Sequence, residues 1–180
     1  MAHPSTLVLG YGNPGRLDDG LGPALVEAID ALGLPGVTVL SDYQLSAEHA
    51  AELIDHDRVV FADAAVEVES PFFLRALLPR AAVSFTSHSM RPEAVLSLAI
   101  DTLGWQGEAY LLGIRGYEFN EFGERLSAAA RENLDAATEC LARALGVKGG
   151  GTMGDVVTGG PIQDSVRLSS GKNPCETTST

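Results

Sequence analysis

The sequence predicts an α/β fold, a three-layer α/β/α domain whose mostly parallel, twisted sheet of about five strands is covered by helices on both faces. Three observations predict it. Strand-like and helix-like segments alternate along the chain. The strand segments are near-continuous apolar runs, as expected of strands buried on both faces. The first of them passes through a glycine-rich loop straight into an amphipathic segment, the strand, loop and helix opening of many α/β domains.

Residues 6–10 (TLVLG) form the first expected strand. A helix follows that cannot begin much before Asp19, because Pro23 is tolerated only in a first turn, and Gly33 with Pro35 ends it. Asp18 and Asp19 therefore stand at its mouth. Residues 37–43 are expected as a strand, 47–54 as a short helix, and 58–64 (RVVFADA) as a strongly apolar strand with Asp63 at its carboxyl end. Residues 72–79 are a further strand segment. Pro92 opens a helix over 92–103, and His88 lies in the loop before it. Residues 108–116 give the last strand and 124–146 a long amphipathic helix with a glycine stop. The expected domain is 1–147. Residues 148–180 are rich in Gly, Ser and Thr without helical periodicity and are expected to be a C-terminal tail.

At 180 residues with 45% apolar residues, the chain supports one ordinary core. A formal net charge of -12 would repel phosphate backbones, so no nucleic-acid partner is expected. No apolar run approaches the roughly 20 residues needed to span a bilayer, and no secretory signal is recognisable, which predicts a cytoplasmic protein without a membrane partner. Cys140 and Cys175 lack disulfide or zinc spacing, as a reducing compartment permits, and neither is expected to act as a staple. Cys140 falls on the long helix, and no G-x-S-x-G elbow is present, which disfavours a serine or cysteine nucleophile.

The loop G-Y-G-N-P-G (Gly10 to Gly15) has the G-x-G-x-x-G spacing of a pyrophosphate cradle. Asp18 and Asp19 then follow where phosphate requires positive field, with Arg16 the one basic side chain nearby. The loop also resembles the opening of peptidyl-tRNA hydrolases. That likeness stops where those enzymes carry a histidine and an asparagine, and a pI near 4.6 suits tRNA poorly. Asp18 is expected to do no more than complement the helix dipole.

Asp19, Asp63 and His88 are the groups the topology would bring to the carboxyl edge of the sheet, where α/β folds place their sites. Two carboxylates and an imidazole suit a borderline divalent metal and leave coordination positions open. Asp42, ending another strand, is expected to line the same cleft. His3, His49 and His56 have no converging partners in the sequence and are expected at the surface.

From its first strand to about Leu145 the chain resembles the hydrogenase maturation endopeptidases. The family's G-x-G-N-x-x-x-x-D-[DE]-x-x-G opening is present as G-Y-G-N-P-G-R-L-D-D-G-L-G, followed in order by A-D-A (Ala62 to Ala64) and S-H (Ser87, His88) before a helix. The resemblance implies an enzyme that removes the C-terminal peptide of a nickel-iron hydrogenase large-subunit precursor. It implies that Asp19, Asp63 and His88 read nickel already held by that precursor and form the catalytic site. Many relatives have Glu where Asp19 stands. The stretch D-Y-Q-L-S-A-E-H-A (Asp42 to Ala50) replaces the common D-G-G-T and is similar to the subgroup serving soluble NAD-reducing hydrogenases. A monomer is implied, and a non-cleaving nickel-dependent chaperone of the precursor is the alternative.

Overall fold

The computed structural model describes residues 4–69, 71–79, 90–146 and Met153. Its strands are β1 (Thr6–Tyr11), β2 (Val37–Asp42), β3 (Arg58–Ala65), β4 (Phe72–Ala76) and β5 (Glu108–Arg115); its helices are α1 (Leu21–Ala31), α2 (His49–Glu52), α3 (Pro92–Leu103) and α4 (Ala128–Ala144). They form one sheet in the order β2-β1-β3-β5-β4. The first three strands and β5 are parallel, whereas β4 runs antiparallel along the edge of β5. The expected mostly parallel α/β architecture is present.

Helices α1 and α4 cover one face of the sheet. Leu25, Ile29 and Leu141 pack there with Val8, Val60 and Leu112. The opposite face carries α2 and α3, where Ala50, Val95, Leu96 and Ala99 meet Leu9, Phe61 and Leu111. Coverage on both sides explains why β1 and β3 read as unbroken apolar runs. The chain leaves β1 for β2 on one side and returns to β3 on the other, so the crevice at the carboxyl ends of β1 and β3 is the switch point of the sheet.

Close contact between α1 and the sheet depends on two glycines. A Cβ on Gly22 would collide with the carbonyl oxygens of Tyr11 and Ala62, and one on Gly10 with the carbonyl of Gly22. Their bare backbones let the first turn of α1 rest directly on β1 and β3. A 3₁₀ turn over Leu17–Gly20 precedes that helix and carries both aspartates of the opening motif.

Helix α4 begins later than the expected residue 124. Ser127 is its N-cap, its Oγ accepting from Ala130 N at 3.2 Å, and residues 116–127 form a loop instead. Cys140 is buried on α4 and is disulfide-bonded, with its partner outside the described residues. This corrects the expectation that neither cysteine is a staple, since spacing along the chain does not report proximity. Of the segment 148–180, Met153 alone is described, and it is buried in the α1–α4 layer. Among the described residues no helix is long and apolar enough to cross a membrane.

Candidate active site

Strand register places five residues side by side at the carboxyl edge. Asp42 pairs with Tyr11, Gly10 pairs with Ala62 so that Tyr11 flanks Asp63, Asp63 pairs with Gly113, and Gly113 pairs with Phe73. Alternation along β1 and β3 puts Tyr11 and Asp63 on the α2–α3 face, in line with Leu9 and Phe61. Adjacent strands lie about 4.8 Å apart, so Tyr11 and Asp63 are immediate neighbours.

The Asp63 carboxylate is held from two directions. Its Oδ1 accepts from Ala64 N at 2.7 Å, and the Tyr11 hydroxyl is hydrogen-bonded to the same group. Burial nevertheless pushes its pKa up to about 6, with the nearby Asp19 charge adding to the rise and both hydrogen bonds opposing it. Tyr11 is itself pushed strongly upward, first by burial and then by the charge of Asp63. Glu93, in the first turn of α3, contributes to the same negative field. Two carboxylates near one another, with burial disfavouring the charge of Asp63, form a place where a cation is favoured.

Asp19 reaches this place from the 3₁₀ turn, its Oδ2 accepting from Asn13 N at 2.9 Å. Gly12 makes the approach possible. It has φ +138°, and the space a side chain would fill holds the Asp19 carbonyl. The loop amides are already engaged: Gly12 N donates to Asp42 O, Gly15 N to Asn13 Oδ1, and Arg16 N to Asn13 O. Pro14 has no N–H. The glycine motif therefore builds a carboxylate-bearing turn and offers no cradle of amides to a phosphate.

Asp18 departs from its expected role. It is fully buried and points away from the helix mouth, accepting from Tyr117 N, Glu118 N, Ser127 N and Ser127 Oγ at 2.7 to 3.0 Å. Burial alone would raise its pKa, but these four donors more than offset it and hold the carboxyl below its usual range. Asp18 ties the 116–127 loop to the opening turn, and the dipole reading understated it.

His49 also corrects the sequence reading, which placed it at the surface. It is 5% exposed; its Nδ1 accepts from Ser46 N at 2.9 Å, and its Nε2 lies 3.5 Å from Asp42 Oδ2. A backbone N–H can only donate, so the ring proton sits on Nε2 and faces the carboxylate. His56 is half-buried, its Nδ1 on the Glu52 carbonyl at 2.9 Å. His3 and His88 lie outside the described residues, so Asp19 and Asp63 are the two predicted site residues brought together here. Among the described residues no group of three His, Cys, Asp or Glu side chains converges as a metal site.

A depression of ≈ 550 Å³ lies at the opposite edge of the sheet, lined by Trp105 and the Arg58–Glu108 ion pair among others. It gathers no buried carboxylate, and it is at the amino ends of the parallel strands, where open α/β sheets do not place ligands. The carboxyl edge is the candidate site.

No family model matches the chain, and no curated protein does so. Solved structures do. The nickel-iron hydrogenase maturation protease HycI of Thermococcus kodakarensis is 21% identical over 80% of this chain and 94% of that one, with a TM-score of 0.64. The hydrogenase maturating endopeptidase HybD of E. coli is 21% identical over 78% and 91%, TM-score 0.58. A hydrogenase 2 maturation peptidase from a Thaumarchaeota archaeon is 24% identical over 79% and 99%, TM-score 0.58. This chain has the fold of the hydrogenase maturation proteases.

Within that fold, sequence reading missed two residues of the site, Tyr11 and Glu93. Tyr11 stood in plain view as the variable position between the motif's first two glycines. Its side of the sheet follows from counting alternate residues back from the strand end. Glu93 had no signal beyond an acidic residue beside Pro92 in a first helical turn.

Proposed function

We propose that this protein is the endopeptidase that removes the C-terminal peptide of a nickel-iron hydrogenase large-subunit precursor, acting as a cytoplasmic monomer. The observation that carries the reading is the pairing of Asp19 and Asp63 at the switch point of a sheet with the maturation-protease fold. In this reading nickel belongs to the substrate, held by the precursor when it arrives. Asp19, Asp63 and His88 complete its coordination. The donor set fits, since two adjacent carboxylates partly deprived of water gain from an incoming cation, and carboxylate with imidazole suits a borderline metal.

Coordination would fix the scissile carbonyl against the enzyme, and without nickel the precursor would bind too weakly to be cut. Cleavage then reports that metal insertion is complete. Hydrolysis adds water across one peptide bond, its hydroxyl to the carbonyl carbon and its hydrogen to the departing nitrogen. The Asp42 stretch suggests a soluble NAD-reducing hydrogenase as the source of the precursor.

The test is to incubate the purified protein with its precursor, nickel-loaded and nickel-free, and follow the intact mass, repeating with Asp63→Asn and His88→Ala. Nickel-dependent loss of a short C-terminal peptide, abolished by either substitution, is the expected result. A nickel-loaded precursor that stays whole would sink the endopeptidase reading, and nickel-dependent binding without cutting would put a chaperone in its place.

A further inference from the structure

The loop bonded to the opening turn carries an aromatic side chain that nothing in the fold requires. Phe122 is 88% exposed. Single exposed apolar residues are ordinary, but this one is mounted on unusually firm support. On its C-terminal side, Gly123 donates to Gly15 O and accepts from Leu17 N, both at 2.9 Å, and forms a parallel bridge with Arg16. On its N-terminal side, Tyr117 and Glu118 are tied through their amides to buried Asp18. The receiving turn is fixed in shape as well. Leu17 sits at φ 53° in the left-handed region with its side chain buried, a conformation a non-glycine residue keeps only where its surroundings impose it.

The ring is also linked, through Arg16, to the turn that carries Asp19. Its neighbour Arg16 holds its guanidinium carbon 5.7 Å from the ring centroid, and the Arg16 carbonyl accepts from Asp19 N at 3.2 Å. Phe122, Arg16 and Asp19 thus belong to one stitched unit. Tyr117 and Val66, 45% and 57% exposed, follow the carboxyl ends of β5 and β3 on the same edge. Phe122 thus stands on the loop bonded to the turn that presents Asp19, where a peptide bound at that carboxylate can meet it.

The geometry points to Phe122 as a preorganised anchor for the protein substrate, receiving an apolar side chain from the precursor segment that flanks the cut. The partner assignment rests on the reading given under Proposed function. An aromatic ring on a rigid loop gives contact area with little ordering left to do on binding, the property that makes such residues dominate interfaces. Arg16 beneath it favours a carbonyl or carboxylate beside that apolar group.

Phe122→Ala and Phe122→Trp would be compared with the unmodified protein in steady-state cleavage of nickel-loaded precursor. For the alanine variant the expected result is a KM higher by about tenfold with kcat within about twofold, and near-normal values for tryptophan. Thermal unfolding should move little, because the ring is 88% exposed and, among the described residues, its one ring contact is with the exposed Arg16 guanidinium. An alanine variant with unchanged KM overturns the anchor. If the unmodified protein leaves the precursor uncut, the endopeptidase reading falls separately. The anchor is then decided by precursor affinity, about tenfold weaker for Phe122→Ala sustaining it and equal affinity ending it.

Discussion

The hydroxyl of Tyr11 is hydrogen-bonded to the carboxylate of Asp63 across the boundary between β1 and β3. With Ala64 N on Oδ1, this bond leaves the carboxylate one defined orientation, the service that outer partners give to ligating groups. Tyr11→Phe keeps the ring and removes that bond alone. A hydrogen bond to a charged group contributes about 1.5–3 kcal/mol, so cleavage of nickel-loaded precursor should slow by about tenfold or more, chiefly in kcat. Rates equal to those of the unmodified protein would show that Asp63 holds its position without Tyr11.

Asp63 should destabilise the metal-free protein at neutral pH. Its folded pKa, about 6, lies above its ordinary 3.8, so ionisation favours the unfolded chain. Stability therefore declines as pH rises between these values and stays lost above them. Asp63→Asn removes the charge at nearly constant shape. It should be more stable than the unmodified protein at pH 7.5, by about 1–3 kcal/mol, and no more stable near pH 4, as urea unfolding at the two pH values would reveal. Equal stability at pH 7.5 would mean that Asp63 is better solvated or better compensated than its surroundings indicate.

The division between what the residues announced and what they concealed follows a physical line. Continuous apolar runs, Pro23, Pro92 and the terminal glycines are local signals. They placed all four helices and five strands to within a few residues, except the start of α4. Asp63 was legible because a strand's end is also a local event. Long-range hydrogen bonds leave no such mark: Asp18 meets Ser127 across 109 positions, and His49 faces Asp42 by way of a turn. Each looked like an ordinary solvated polar residue. His88, the third member of the expected site, lies outside the described residues.

Asp18 should matter to stability far more than its neighbour in the motif. Asp18→Ala would leave the amides of Tyr117, Glu118 and Ser127 without their acceptor, at a cost of about 3 kcal/mol or more, since each buried unpaired group loses about 1–3 kcal/mol. Asp18→Asn retains one acceptor oxygen but turns an NH₂ toward donors, and should fall between. Because the folded pKa is lowered, the stabilisation is present above the ordinary carboxyl range and disappears as pH falls through the folded value. The unmodified protein should show that acid loss, and Asp18→Asn should lack it. An alanine variant within about 0.5 kcal/mol of the unmodified protein, the range of a plain surface substitution, would mean the loop finds other acceptors.

Gly22→Ala tests whether the proximity of α1 to the sheet is what delivers Asp19 to Asp63. The added methyl would meet the carbonyl oxygens of Tyr11 and Ala62, which are ladder atoms of β1 and β3 and cannot swing aside as a side chain could. The helix has to back away, and the 3₁₀ turn joined to its first residue goes with it. Overpacking of this kind costs about 1–3 kcal/mol, and the displacement should also weaken the influence of the Asp19 charge on Asp63. Two separate measurements follow: a lower unfolding midpoint in urea, and slower cleavage of nickel-loaded precursor at a temperature where the variant remains folded. Lost stability with full activity would separate the helix contact from the site, whereas loss of both would make the close seat of Gly22 on β1 and β3 the structural basis for the two carboxylates meeting.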